Sequence, residues 1–441
     1  MKDCEDGLDP ARLETAVENL GPCRFDSPLR DRGPIRFTGD DRGVLVDPGA
    51  SRDGSAPAGG PSFELAGPRR RTFFDPARTR AGIITCGGLC PGLNDVIRAI
   101  VMELWFRYGV DEIYGFRYGM EGLVPEYGHR PVPLLPEVVA DILDQGGSIL
   151  GSSRGEQDKE VMVDTLERLG IDLFFMIGGD GTFRGALQLA EVITRRGLPI
   201  SVVGVPKTID NDIRLTSRTF GFETAVKVAV DAVKAAHNEA EGYRNGVGLV
   251  KLMGRHSGFI AAATALAQQD VNFVLIPELD FDLDGEGGFL AALERRLAAR
   301  HHAVVVVAEG AGQKFFAGEA GRDASGNLRL HDVGHFLKEK IATHFAARSI
   351  PTTVKYIDPS YMVRSLPANP NDSVFCSLFG RDAVHAAMAG KTKLFVGYWH
   401  DCFVHVPLAA SVGRRKQVDL EGRLWLNVLA ATGQGGLKNE A

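Results

Sequence analysis

The sequence predicts an α/β protein built as two Rossmann-like lobes with mainly parallel sheets and a cleft between them, preceded by an N-terminal extension. Three observations carry this. From Ala81 onward, short apolar runs alternate with amphipathic stretches of helical spacing, the pattern of strands joined by crossover helices. Several of those runs end in glycine-rich turns, where an open parallel sheet gathers its ligands. A length of 441 residues suits about three domains, or two larger ones with an extension.

Residues 1–80 read as the extension. Phe25–Asp47 offers short strands and Pro48–Ser62 is a flexible Gly/Pro/Ser/Ala connector. Strands are then expected at 82–86, 172–179 and 199–205, with helices over 95–108 and 183–197 between them. After Pro206 the grammar continues: helix over 222–240, strand over 245–254, helix over 257–269, strand over 271–277, helix over 289–300, strand over 302–310, then helices over 332–349 and 373–390. The expected division is 81–240 and 241–410 for the lobes, with the chain free to cross between them, and 411–441 as a C-terminal segment. Its last stretch, "GQGGLKNEA", reads as disordered. No solenoid repeat is present.

Hydrophobic residues make up 44% and charged residues 24%, the balance of a soluble globular protein. A net charge of −6 gives no footprint for nucleic acid. Six cysteines, at 4, 23, 86, 90, 376 and 402, show neither a disulfide framework nor metal-site spacing. The acidic N-terminus lacks a signal-peptide core and no run reaches transmembrane length, so a cytoplasmic protein is expected.

The chemistry concentrates at strand ends. "TCGGLCPGLND" (Thr85–Asp95) and "IGGDGTFRGA" (Ile177–Ala186) are strand-to-helix turns in which Gly87, Gly88, Gly178, Gly179 and Gly181 let backbone N–H groups approach an anion. Two such loops suggest a polyphosphate. Asp180, an acid inside a glycine cradle, would repel phosphate unless a divalent cation bridged them, so it is a Mg2+ candidate as well as a helix cap. "PKTIDND" sets Lys207, Thr208, Asp210 and Asp212 at the exit of an apolar run; carboxylates are costly there, and one with access to a hydroxyl can take its proton during attack on phosphorus. "KLMGRHSGF" brings Met253, Gly254 and Arg255 to a third turn. Glu309 follows another strand and can accept sugar hydroxyls, while Lys355, Tyr361 and Arg364 offer two cations and a phenol. Cys86 and Cys90 read as small buried thiols, His301, His302, His331 and His335 as surface histidines, and Arg414–Lys416 as a solvated loop.

Together, "TCGGLCPGLN", "GGDGT", "PKTIDND", "LMGRHSGFIA" and "AEGAG", in this order, resemble the 6-phosphofructokinase family over most of 81–408. "GSSRG", "NGVGLVKLMGR" and "KYIDPSYMVR" are closest in style to the long ATP-dependent enzymes of plants and trypanosomatids. The resemblance implies phosphoryl transfer from ATP to O1 of fructose 6-phosphate, with Asp210 as base and Thr208, Asp212, Lys207 and Arg255 around it. It implies a nucleotide site of Gly87, Arg154, Gly179, Asp180, Gly181 and Thr182, the metal associated with Asp180. The sugar phosphate would meet Thr208, Asp210, Met253, Gly254, Arg255, Glu309, Tyr361 and Arg364. Lys355 falls where the family commonly has an arginine reaching in from a neighbouring subunit, and a homotetramer is implied. The chain departs from compact bacterial members at Gly246, where they have another inter-subunit arginine, and at Tyr361, where they have histidine.

Two positions bear on the donor. Pyrophosphate-dependent relatives usually carry aspartate in place of Gly181, filling the room for an ATP α-phosphate; Lys207 is shared with them. Exclusion outweighs attraction, so ATP is expected, with pyrophosphate, or sedoheptulose 7-phosphate as acceptor, as the alternatives. NAD and lipid kinases share "GGDGT" but not the other motifs, and a silent nucleotide sensor would have lost Asp210 or Asp180.

Overall fold

The structure, a computed structural model, describes residues 13–48, 60–316, 321 and 329–440. Most of the predicted connector, residues 49–59, therefore lies outside the described residues.

Two sheets organise the chain. The larger has nine strands in the order Gly43–Leu45, Ser62–Leu65, Cys402–Pro407, Leu394–Trp399, Ser201–Pro206, Leu173–Gly178, Arg80–Thr85, Glu112–Gly115 and Val132–Pro133. Its five central members run parallel and the outer ones antiparallel. The smaller sheet is wholly parallel, in the order Phe273–Leu275, His302–Ala308, Gly246–Leu252, Thr353–Ile357. Every residue of Leu173–Gly178 and Ser201–Pro206 is buried, which is why these strands read as unbroken apolar runs: helices cover both faces.

The order of the large sheet fixes where a ligand fits. From Arg80–Thr85 the chain adds Glu112–Gly115 on one side, then returns to place Leu173–Gly178 on the other. The crevice at such a switch point lies beyond the carboxyl ends of Arg80–Thr85 and Leu173–Gly178, under both glycine-rich turns.

Helices form where the spacing predicts, at Leu93–Met102, Asp180–Arg195, Phe222–Glu241, Phe259–Ala267, Phe289–Arg300, Val333–Ala347 and Pro370–Met388. The first continues as a π-helical stretch, Glu103–Tyr108, where buried Glu103 accepts from Arg381 at 3.1 Å.

Three features differ from the sequence reading or go beyond it. The described part of the extension is not a separate body: Gly43–Leu45 and Ser62–Leu65 extend the large sheet. Leu394–Pro407 crosses back from the second half of the chain into that same sheet. The C-terminal stretch read as disordered is docked over its described residues, 433–440. Val274 N donates to Gln434 Oε1 at 2.7 Å, Asp282 N to Leu437 O at 2.8 Å, and Leu437 is buried. Phe273–Leu275 is an edge strand with outward backbone groups to satisfy, and the glutamine amide supplies that partner.

Candidate active site

The site grows from three strand ends of the large sheet. After Thr85 the chain turns at Gly87, whose φ of +83° favours glycine, and Gly87 N–H donates to Ser153 O at 3.1 Å while Ser152 Oγ donates to Gly87 O at 2.6 Å. These bonds stitch the first loop to "GSSRG" and bring Arg154 beside it. A β-carbon built at Gly88 would lie 3.8 Å from Arg154 Nη2 and 3.6 Å from Arg364 Nη1, so arginines from both halves of the chain converge on one glycine.

The second loop runs from Gly178 through Gly179 into Asp180, the first residue of its helix. The Asp180 carboxylate accepts from Arg184 at 3.2 Å and from Gly413 N–H at 3.3 Å, with 13% of its side chain exposed. A β-carbon at Gly181 would meet nothing within 4 Å. Thr182 is buried beneath.

The third loop carries the acids. Lys207 is buried, its ammonium donating to Gly88 O, and burial, helped by the charge of Arg154, pulls its pKa down. Asp210 N–H donates to Thr208 Oγ1 at 3.1 Å, Thr208 Oγ1 donates to Asp212 Oδ1 at 3.0 Å, and Arg415 donates to Asp212 Oδ2 at 2.8 Å. Asn211 closes the turn at φ +54°, its amide oxygen accepting from Thr219 N–H at 3.0 Å. Asp210 Oδ1 is buried and has no hydrogen-bond partner among the described residues. Burial, then the negative charges of Asp212 and Glu309, push the Asp210 carboxyl up to about 8, against Arg415 and the Arg255 backbone N–H.

The small sheet closes the cleft from the other side. Gly254, at φ +128°, makes the turn after Gly246–Leu252; a β-carbon there would stand 2.7 Å from Ser257 O. The turn swings Arg255 toward Asp210. Glu309 N–H donates to Leu252 O at 2.9 Å, and burial raises the Glu309 carboxyl despite Arg255, Lys251 and Arg364. Lys251 is held by Asp358 at 2.7 Å. The Arg364 guanidinium lies 4.9 Å from the centre of the Tyr361 ring, which is 74% exposed.

One cavity of about 900 Å³ unites these groups. It is lined by Gly87, Arg154, Gly179, Asp180, Gly181 and Thr182 on one wall and by Lys207, Thr208, Asp210 and Asp212 at the base. Met253, Arg255, Glu309, Tyr361 and Arg364 form the opposite wall. Gly254 shapes its turn without lining the cavity. Lys355 is outside it: its ammonium pairs with Glu239 at 3.1 Å over the Tyr243 ring.

Sequence reasoning missed Arg415, and the solvated-loop reading of Arg414–Lys416 is corrected. Arg414 is exposed, but Arg415 lines the cavity, and Lys416 is buried with its ammonium donating to Thr216 O and Ser217 O, each at 3.0 Å. The run of three basic residues was visible; nothing local indicated that acids about 200 residues away would receive it. Cys86 and Cys90 are buried thiols, with Cys86 pushed up to about 12 by burial. The four histidines set aside above form no group of three or more candidate ligands among the described residues.

A glycine-lined anion cradle facing a buried carboxylate across a lobed α/β cleft defines the class, a phosphotransferase with an alcohol acceptor. The phosphofructokinase family model matches residues 80–387, and the chain belongs to that family. Its relatives include proteins named ATP-dependent 6-phosphofructokinase. That of Borreliella burgdorferi is 54% identical over 84% of this chain and 85% of its own, and that of Trypanosoma brucei brucei 48% identical over 84% and 76%. Among solved structures, a pyrophosphate-dependent phosphofructokinase from Marinobacter aquaeolei superposes with TM-score 0.66 at 20% identity, over 82% of this chain and 95% of that one. The Pichia pastoris phosphofructokinase in its T-state gives TM-score 0.62 at 22% identity, over 76% of this chain and 35% of that longer one. These two likenesses concern the fold.

Proposed function

We propose that this chain is an ATP-dependent 6-phosphofructokinase of glycolysis, transferring the γ-phosphoryl group of ATP to O1 of fructose 6-phosphate to give fructose 1,6-bisphosphate and ADP. The observation that carries the reading is Asp210: a half-buried carboxylate lining the cavity that holds the glycine cradle, with one oxygen, Oδ1, buried and without a hydrogen-bond partner among the described residues. A substrate hydroxyl in that cavity loses its proton to the Asp210 carboxylate as it attacks phosphorus.

The remaining groups position and neutralise. Gly87, Gly179 and Gly181 present backbone to the nucleotide phosphates, while Arg154 and Lys207 place positive charge beside them. Arg255 and Arg364 hold the sugar phosphate, Glu309 accepts its hydroxyls, and Met253 and Tyr361 pack against it. On this reading the wall built from 81–240 mainly holds nucleotide and that from 241–410 mainly sugar phosphate.

The residues present fit Mg2+. Asp180 offers one partly exposed carboxylate in the cradle, and Mg2+ is bound through one or two carboxylates plus substrate phosphates rather than by an all-protein cage. Bound there, the ion would neutralise phosphate charge. A homotetramer is part of the proposal on the strength of the family resemblance; Lys355 pairs with Glu239 outside its own cavity. No helix among the described residues is long and apolar enough to cross a membrane.

A coupled assay with fructose 6-phosphate, offering Mg·ATP and Mg·pyrophosphate in parallel, tests the reading: turnover with ATP is expected, and turnover with pyrophosphate alone refutes the donor. A pH prediction accompanies it. Because Asp210 must be ionised to accept a proton and its carboxyl is raised toward about 8 in the free enzyme, kcat/KM should climb with pH well above the ordinary carboxylate range. A profile flat from about pH 5 to 9 contradicts this.

A further inference from the structure

The acids of the cavity are gripped by chain that comes after both sheets. Four bonds tie it in: Gly413 N–H to Asp180 Oδ1 at 3.3 Å, Arg415 to Asp212 Oδ2 at 2.8 Å, Lys416 N–H to Asp212 O at 3.0 Å, and Ser257 Oγ to Lys416 O at 2.5 Å. Ile213 and Arg415 also form an isolated antiparallel bridge. The segment thus touches the cradle acid, the acid beside the base, and the second half of the chain. We propose that Arg415 is a positioning residue for phosphoryl transfer, holding Asp212 and through it the loop that carries Asp210. The inference rests on the phosphotransferase reading above.

The path is short and continuous. Arg415 fixes one oxygen of Asp212; the other accepts from Thr208 Oγ1, which itself accepts from the backbone N–H of Asp210. Removing the guanidinium frees Asp212 to turn and leaves its charge uncompensated beside Asp210. Asp212 is held at 8% side-chain exposure, where a lone carboxylate is costly. The groups acting on Asp210 include Asp212 of its own loop, Glu309 from the other wall, Cys90 of the first loop, the Arg255 backbone and Arg415. The charge of Arg415 opposes those of Asp212 and Glu309 there.

Arg415→Gln should lower kcat roughly 10- to 100-fold, as a displaced base does, with KM for ATP and for fructose 6-phosphate each within about threefold of the parent. The acid limb of its kcat/KM profile should move to higher pH; with the same substrates on both proteins, their own phosphate ionisations cancel. Arg415→Lys should restore the limb. Adding Asp212→Asn to Arg415→Gln should give no second loss of similar size, because both changes cut one path. Arg414→Gln, at an exposed position, should match the parent. A thermal midpoint and calorimetric binding of Mg·ATP establish that each variant is folded, and Arg415→Lys carries the test if Arg415→Gln is not. A large rise in KM for ATP with an unmoved limb overturns the inference in favour of direct phosphate binding, and unchanged kinetics overturn it altogether. A parent protein inactive with either donor would instead sink the proposed function itself.

Discussion

Asp210→Asn is expected to lower kcat by about three to four powers of ten while Mg·ATP still binds, and at the same time to make the protein more stable near neutral pH. The kinetic part follows from removing the atom that takes the hydroxyl proton. The stability part follows from burial. Asp210 has a folded pKa raised above its unfolded value, so its contribution is most favourable below the unfolded pKa, near 4, and is lost as pH rises toward about 8. The amide never pays that desolvation cost. At one pKa unit per about 1.4 kcal/mol, and allowing for an unpaired amide hydrogen, a gain on the order of 2 kcal/mol near pH 8 is expected, shrinking toward pH 5. Thermal denaturation of parent and variant across that range checks the sign. A variant less stable than its parent at pH 8 would mean that Asp210 is held by native interactions absent from this structure, and retained turnover would remove it as the base.

Gly181→Asp is expected to cut kcat/KM for ATP by about two to three powers of ten without unfolding the chain. The position tolerates a side chain: it lies in the first turn of Asp180–Arg195 without a left-handed backbone, and an added β-carbon meets nothing within 4 Å. An acid there even favours the helix, whose N-terminus carries partial positive charge. The loss comes from what the open space is for. A carboxylate within about 4 Å of a phosphate charge costs about 4 kcal/mol at an effective dielectric near 20, and it also occupies the room a nucleotide needs. Steady-state kinetics with ATP and a melting curve separate the two effects. Unaltered ATP turnover would show that the cavity beside Gly181 is not where the donor sits.

Much of this was legible beforehand because the signals are local. Leu173–Gly178 and Ser201–Pro206 are buried on both faces, so their apolar runs announce them. The glycines of both cradles, and the acids of "PKTIDND", occur in single short turns, where one stretch of chain specifies one piece of chemistry. Arg415 was not legible, because its meaning depends on Asp212 across 203 residues. Gln434 was equally hidden. A polar residue in a Gly-rich tail reads as disorder until the edge of Phe273–Leu275 stands beside it with a backbone group to satisfy.

The sequence by itself determined the family, the alternation that builds two mainly parallel sheets, and the residue types that face a phosphate and a sugar. Only the tertiary structure decided which of those residues share a cavity. It folded Gly43–Leu45 and Ser62–Leu65 of the extension, with residues 394–407, into the first sheet, paired Lys355 with Glu239 outside the cavity, and brought the C-terminal segment to the acids of the cavity. The reason is one of range: periodicity and turn chemistry act over a few residues, whereas burying a carboxylate beside the guanidinium that compensates it requires distant chain to be packed in place.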